Sequence, residues 1–449
     1  MTTNPLPVLA AHAAGWRDRP WPAGLEHHAR RALLDWFAAT LPGTVRPPAT
    51  LLAAALSDER GEGRAVCYVD GRRGAARHAA LLNAVASHVV EFDDIHRDSG
   101  LHPGGPTVSA ALAVAQARGA GLDVLLRAVA AGYEVGGRVA LAVQPSHYRY
   151  WHTTATVGTM AAATAAALLL GCDAARMGHA IALSATMAGG LQQAFRGEGM
   201  SKPLHPGHAA EAGVLAARAA AAGVTGAPDV LHGPAGFAAA TSEDAGKWDA
   251  ALEGLGERFV IGAMTFKNHG CCGHIFPALD GLVAIRARRP FRPEEVESLH
   301  VAGYRATAEM CDRPLVTTEQ EARFSTQYCA AALLHHGAVR LDAFSPGRLS
   351  DPVLHAFMRK VSVGLAPDLA DAYPRRRAAR LRLALTDGTV IEHEQPFRKG
   401  DPEDPLTDAE LDAKFLELAG PVIGAAAAEA LRRAIRTGSA LPGMVAGEC

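Results

Sequence analysis

From about residue 24 to residue 265 the chain is written in alanine, leucine and arginine, broken at intervals by glycine and proline. That text leaves little room for strands. Apolar residues recur at spacings of three and four, which predicts helices over 25–41, 75–90, 106–117, 123–142, 156–170 and 208–222. Many of these helices are small on every face. Alanine combines high helix propensity with close interhelical approach, so the expected arrangement is a compact multi-helix body with most helices buried.

The pattern changes after Phe266. Short β-branched runs predict strands over 298–304, 359–364, 380–385 and 390–393. The last two form a hairpin, whose turn Thr386-Asp387-Gly388-Thr389 supplies the Asp-Gly that a positive φ requires. Helices over 275–288 and 319–335 interleave with the strands, which describes a small α/β domain. Beyond the charged, proline-containing link 399–405, an alanine-rich helical pattern returns over 408–435. A length of 449 residues exceeds one ordinary hydrophobic core. The expected fold is therefore mainly α: an all-helical domain of 1–265 with 400–449, and an α/β domain of 266–399.

Composition limits the classes of function. With 20% charged residues and a net charge of -2, the chain has no strong field of one sign, so nucleic acid is not an expected partner. Apolar runs such as 160–170 are too short and alanine-rich to span a bilayer, and the first 21 residues lack a basic region followed by an apolar core. Seven scattered cysteines, an odd number with one vicinal pair, do not make a disulfide framework. These features predict a cytoplasmic protein.

Four segments place titratable residues beside glycine and proline. In the first, Glu91-Phe92-Asp93-Asp94-Ile95-His96 precedes Leu101-His102-Pro103-Gly104-Gly105; it reads as a solvated loop with capping aspartates or as a carboxylate and imidazole cluster for acid/base work. The second, Tyr150-Trp151-His152-Thr153-Thr154, runs into an apolar helix, with Thr153 or Thr154 as its N-cap and His152 either structural or catalytic. The third runs from Gly197 and Glu198 through Lys202 and His205 to His208 and sets a lysine before a helix. A loop lysine is more often solvated than catalytic. The fourth, Phe266-Lys267-Asn268-His269-Gly270-Cys271-Cys272-Gly273-His274, lies at the expected domain junction and reads as a hinge or as part of a ligand cleft. Its cysteines and histidines lack the second ligand pair of a structural zinc site, so no metal is expected. A reactive cysteine beside histidines is the other reading, although vicinal cysteines packed at a helix start are commoner. Neither a dinucleotide fingerprint, nor a Walker A sequence, nor G-x-S-x-G is present.

The ordered set EFDD, LHPGG, GYEVGGRVA, WHTTATVGT, SKPLHPGHAAEAG, KNHGCCGHIFPALDG, RPLVTTEQEARFSTQY and GDPEDPLT resembles the MmgE/PrpD family over about 30–440. No single motif is decisive; their order and spacing together are specific. The family includes 2-methylcitrate dehydratase, cis-aconitate decarboxylase and iminodisuccinate epimerase. The resemblance implies a large helical domain made from both chain ends, a smaller α/β lid domain, a homodimer, a cleft between domains, and neither metal nor organic cofactor.

Carried over residue by residue, the resemblance implies a catalytic set of His102, His152, Lys202, Lys267 and Asp93. Asp94, Glu91, Cys272, His274 and Met310 follow as substrate-binding positions. The decarboxylase pattern has aspartate at the place of Glu91, threonine at Ile95, histidine near Cys272 and tyrosine near Met310. Those departures weigh against a cis-aconitate decarboxylase and leave dehydratase, hydratase and epimerase open; the expected function is a dehydratase or hydratase of the 2-methylcitrate type, with a dicarboxylate epimerase or, further off, a cis-aconitate decarboxylase as alternatives and a non-enzymatic binding protein as the remaining class. The chemistry implied is removal of a proton beside a carboxylate of a small polycarboxylate. An imidazole, His102 or His152, would be the base, and lysines would stabilise the charge that develops.

Overall fold

A computed structural model describes residues 4–195, 199–373 and 375–441 of the chain. Two compact units divide it, Met1–Thr265 with Thr407–Cys449 and Phe266–Leu406. Among the described residues no helix is long and apolar enough to cross a membrane.

The first unit is helical. Its principal helices are α1 (Leu25–Thr44), α2 (Ala76–Ser87), α3 (Gly104–Arg118), α4 (Leu122–Val143), α5 (Thr153–Leu169), α6 (Ala174–Ala185) and α7 (Leu204–Ala221). Helix α5 is the axis of the unit: every residue from Thr153 to Leu169 is buried, and α3, α4, α6 and α7 pack around it. Its alanines make this possible, because a helix without large side chains can be approached from all sides. Buried threonines within it need a partner for their hydroxyl. Thr159 and Thr164 find one in the carbonyls of Ala155 and Met160, each at 2.8 Å.

Helices α3, α5 and α7 begin two to four residues earlier than hydrophobic periodicity predicts. Pro106 reads as the first residue of its helix and Pro206 as lying before its own; each sits in a first turn, where the N–H groups have no intrahelical acceptor and proline costs nothing. The candidate residues before them therefore lie at helix starts. The N-cap position of α5 is His152, and neither Thr153 nor Thr154 occupies it.

The second unit holds a four-stranded sheet beside helix α8 (Phe276–Arg288). Its strands are β1 (Val296–Gly303), β2 (Val361–Leu365), β3 (Ala379–Leu385) and β4 (Val390–Gln395), in the order β2-β1-β3-β4. Strands β1 and β2 are parallel, with Leu299 opposite Val361; β1–β3 and β3–β4 are antiparallel, with Leu381 opposite Val301 and His393. The β3–β4 hairpin turns as expected at Asp387-Gly388, where Gly388 carries the positive φ. Ile275, Leu279, Leu299, Val301, Leu381 and Leu383 meet in the core between sheet and helices.

Three local expectations change. The stretch 319–335 is two helices, Glu319–Arg323 and α9 (Thr326–His336), because the Ser325 side chain accepts from Tyr328 N and starts a new helix. Cys271 and Cys272 precede α8 instead of starting it, and Cys272 N donates to the Arg323 carbonyl at 2.8 Å. The tail 408–435 is also two helices, α10 (Asp408–Ile423) and α11 (Ala425–Thr437), parted by Gly424 at φ 83°. Helix α10 packs on α1. There Lys414 Nζ, fully buried, bonds Asp35 Oδ1 at 2.6 Å and the Phe92 carbonyl at 2.9 Å, tying the chain's end to the loop of the acidic motif.

Candidate active site

The loop between α2 and α3 carries the acidic motif, and its residues face different ways. Glu91 adopts φ 60°, a left-handed conformation unusual for a residue with a side chain, and its carboxylate is ion-paired with Lys202 Nζ. Asp93 is almost fully buried. Its Oδ2 lies 2.6 Å from His88 Nδ1 and 2.9 Å from His102 Nδ1, so one carboxylate oxygen serves two imidazoles. Of these rings, His88 is wholly buried whereas the His102 side chain keeps 12% of its surface exposed. Only the second can meet a substrate from solvent.

Asp94 turns inward. Tyr133 Oη donates to its Oδ2 at 2.7 Å and Gly104 N to its Oδ1 at 3.0 Å, which makes it a cap for the start of α3. Burial, with the negative charge of Asp35 nearby, pushes its carboxyl up to about 8 against the two hydrogen bonds. A side chain at Gly104 would meet Asp94 Oδ1 at 2.7 Å, so the close approach requires glycine. The GYEVGGRVA motif thus supplies a support, Tyr133, and a staple: Arg138 pairs with Glu134 and donates to the carbonyls of Ala251 and Glu253.

The starts of α3, α5 and α7 converge. His102 N donates to Thr154 Oγ1 at 3.1 Å, joining the segment before α3 to the first turn of α5. His152, which is 1% exposed, is held by its N–H on the Gly190 carbonyl at 2.9 Å, and its Nδ1 is 2.9 Å from Nδ1 of His205 in the first turn of α7. Ring centroids of His88 and His102 lie 5.2 Å apart, those of His88 and His152 5.7 Å. Burial lowers His152 well below the usual imidazole range, helped by the neighbouring imidazoles and Lys202, and for the same reasons His205 falls to about 4. The dipoles of these three helix starts favour negative charge nearby, while Gly104 N is bonded to Asp94 and the N–H groups of Leu204 and His205 to the carbonyls of Ser201 and Lys202.

The structure therefore brings Glu91, Asp93, His102, His152 and Lys202 into one cluster within the first unit. It adds two members that sequence reasoning left aside. His88 looks like a core histidine at a helix end, and His205 stands in the quoted SKPLHPGH run without distinction; their signal was proximity in sequence to Asp93 and Lys202. Gly197 and Glu198, also quoted there, lie outside the described residues. His88, Asp93 and His102 have ligand atoms within 4.8 Å of one another, close enough to share a divalent cation. The hydrogen bond between His88 Nδ1 and Asp93 Oδ2, with the ion-pair approach of His102 Nδ1 to the same oxygen, already accounts for that closeness.

The remaining candidates belong to Phe266–Leu406. Lys267 is buried, Cys272 half-buried and Met310 exposed on a short helix. His274 Nδ1 lies 2.8 Å from Tyr304 Oη, and burial, with Arg377 and Arg398 nearby, pushes this imidazole down to about 3. The surrounding segment is firmly anchored: His269 bonds Asp280 at 3.0 Å and Gly270 N donates to the Val339 carbonyl.

Comparison with known proteins adds a separate line. The MmgE/PrpD N-terminal domain matches residues 8–248 and the MmgE/PrpD C-terminal domain residues 269–437. The cis-aconitate decarboxylase-like protein oryM of Aspergillus oryzae is 30% identical over 433 residues, covering 90% of this chain and 88% of its own. The cis-aconitate decarboxylase of Homo sapiens is 26% identical, covering 80% and 76%, and that of Aspergillus terreus 27%, covering 89% and 86%. With both family domains matched along almost its whole length, the chain belongs to the MmgE/PrpD family.

Proposed function

We propose that this chain is a lyase of small polycarboxylates that moves a proton at a carbon beside a carboxylate, in the manner of a dehydratase or hydratase. A lyase-type role is supported at the level of the family by both domain matches and by the decarboxylase relatives. The observation that carries the reading is the buried Asp93 carboxylate set against Nδ1 of a solvent-reachable His102. A carboxylate there keeps Nδ1 protonated and leaves Nε2 as the base, and it balances the imidazolium once the base has taken a proton. His88, on the same oxygen but wholly buried, positions Asp93.

Lys202 is the proposed carboxylate-binding cation. Glu91 is its ion-pair partner, and a substrate carboxylate would compete with it for the ammonium. The base removes the proton beside the carboxylate, the enolate-like charge is held by cations and N–H groups, and a second group protonates the leaving hydroxyl, so that one water departs for each double bond formed. Two imidazoles of different surroundings can divide these roles.

Decarboxylation is a second reading, favoured by what the relatives are named for. Against it stand Glu91, Ile95, Cys272 and Met310 at places where the decarboxylase pattern has other residues. The test is an ultraviolet and proton-NMR assay in deuterated buffer with 2-methylcitrate, citrate, cis-aconitate and iminodisuccinate. A growing conjugated alkene from 2-methylcitrate or citrate is expected. Carbon dioxide release from cis-aconitate would establish the second reading, and deuterium exchange without an alkene would replace both with an epimerase.

A further inference from the structure

We infer that His205 is the proton port of His152, the half-buried imidazole through which a buried one exchanges protons with solvent. The inference rests on reading the cluster as a proton-transfer site and adds a residue to it. His152 cannot trade protons with water directly, because it is 1% exposed and its main chain is held by the Gly190 carbonyl on one side and by Ala155 N, at 2.8 Å, on the other. Its Nδ1 instead faces Nδ1 of His205 at 2.9 Å. At that distance one nitrogen carries a hydrogen and the other a lone pair, so the two rings share a single proton.

A relay follows from this sharing. In one state His205 donates its Nδ1–H to the Nδ1 lone pair of His152, which carries its hydrogen on Nε2. A proton binding Nε2 of His205 moves the shared proton across, and His152 then releases the hydrogen on its own Nε2. One proton enters, one leaves, and the pair ends neutral in the opposite tautomers; the reverse sequence carries a proton outward. Both rings cannot be imidazolium while the contact persists, since each Nδ1 would then carry a hydrogen. Among the described residues, the groups facing the pair include His88 beyond α2, His102 before α3, Lys202 with its partner Glu91, and His208 one turn further along α7. With so many positive or potentially positive neighbours, and with burial lowering both rings, the resting pair is neutral at ordinary pH.

His205 acts through His152 and is a positioning residue, so its test needs a signal that mere support of the fold would not move. Ring-nitrogen NMR on the full chain, wild type and His205→Gln, provides one without any substrate. The expected wild-type spectrum shows one proton shared between two Nδ1 atoms, and the variant shows His152 locked in a single tautomer from pH 5 to 8. Unchanged His152 nitrogen shifts in the variant would overturn the inference, as would two independent fixed tautomers in the wild type, which decides the matter even if the variant folds poorly. With a carboxylate that is turned over, His205→Gln should lower kcat by about 10- to 100-fold, leave KM within about twofold, and be partly rescued by free imidazole. An equal kcat at every pH, or a loss that imidazole does not restore, would count against the port. A shared proton in the spectra without turnover of any acid would sink the proposed lyase activity and leave the imidazole pair standing.

Discussion

The two units are both well packed, but the axis of one and the sheet core of the other are filled by different kinds of side chain. The axis of the helical unit is filled by alanine: along α5 the residues Ala161, Ala162, Ala163, Ala165, Ala166 and Ala167 are fully buried, and neighbouring helices lie directly against them. The sheet-bearing unit is filled by Leu279, Leu299, Phe276, Tyr328, Leu381 and Leu383, which reach from helix and strand into a shared core. Small residues bring backbones together and leave helix starts tightly placed relative to one another. Large ones fill volume between elements that stand further apart. The imidazole cluster sits where the first kind of packing makes α3, α5 and α7 begin side by side.

The comparison can be broken at its chemical end first. Asp93→Asn should lower kcat by about 100- to 10,000-fold for whichever carboxylate is turned over, since the amide no longer holds His102 in one tautomer or balances its charge. Steady-state kinetics alongside thermal unfolding would check this, with Tm moving by only a few degrees. Next in size is Lys414→Ala, which leaves Asp35 buried without its cation and frees the Phe92 carbonyl; the loss should be about 3–5 kcal/mol in denaturant unfolding.

Packing provides the third and most direct contrast. Leu381→Ala in the sheet unit should cost about 2–5 kcal/mol by opening a cavity. Ala162→Val in the helical unit should cost about 1–3 kcal/mol by overfilling, so one unit is harmed by removing methyl groups and the other by adding them. Calorimetry of the two variants would show which transition moves. Equal tolerance of Ala162→Val and a surface alanine would mean that α5 is less crowded than its burial indicates.

Titration offers a smaller handle. His12, His96, His147 and His205 of the helical unit are held down near 4 chiefly by burial, and His152 is likewise held well below the usual range, against an unfolded value near 6.5. The unfolded chain therefore binds more protons between those values, and stability must fall as pH drops from about 6.5 toward 4. Asp94 has the opposite sign. Its folded value of about 8 exceeds the unfolded 3.8, so its contribution is fully present below 3.8 and is lost as pH rises through 8. Tm measured from pH 4.5 to 9 should fall on both sides, and Asp94→Asn should flatten the alkaline side alone.

Much of this was readable in the chain before folding was considered. The helical stretch, the change of character after Phe266 and the Asp-Gly hairpin follow from periodicity and turn chemistry, which act over a few residues. The start of α7 lies earlier than the pattern indicates because proline breaks a helix interior yet is welcome in a first turn, and that of α3 because glycines carry no hydrophobic signal. Splits at Ser325 and Gly424 were missed because a cap competes locally with a continuing apolar pattern. Of the cluster, Glu91, Asp93, His102, His152 and Lys202 were picked out by motif. His88 and His205 were not, since a lone histidine beside apolar residues reads as core.

Residue types and their order thus determined the helices, the strands, the family and the inventory of acids and bases. The tertiary structure alone decided which of two adjacent aspartates faces the imidazoles and which is turned inward to Tyr133, because that depends on the path of one loop tied down by Lys414. It also decided that His152 meets His205, 53 positions away, at 2.9 Å. Burial and through-space charge set what an imidazole can do, and neither is a property of neighbours along the chain.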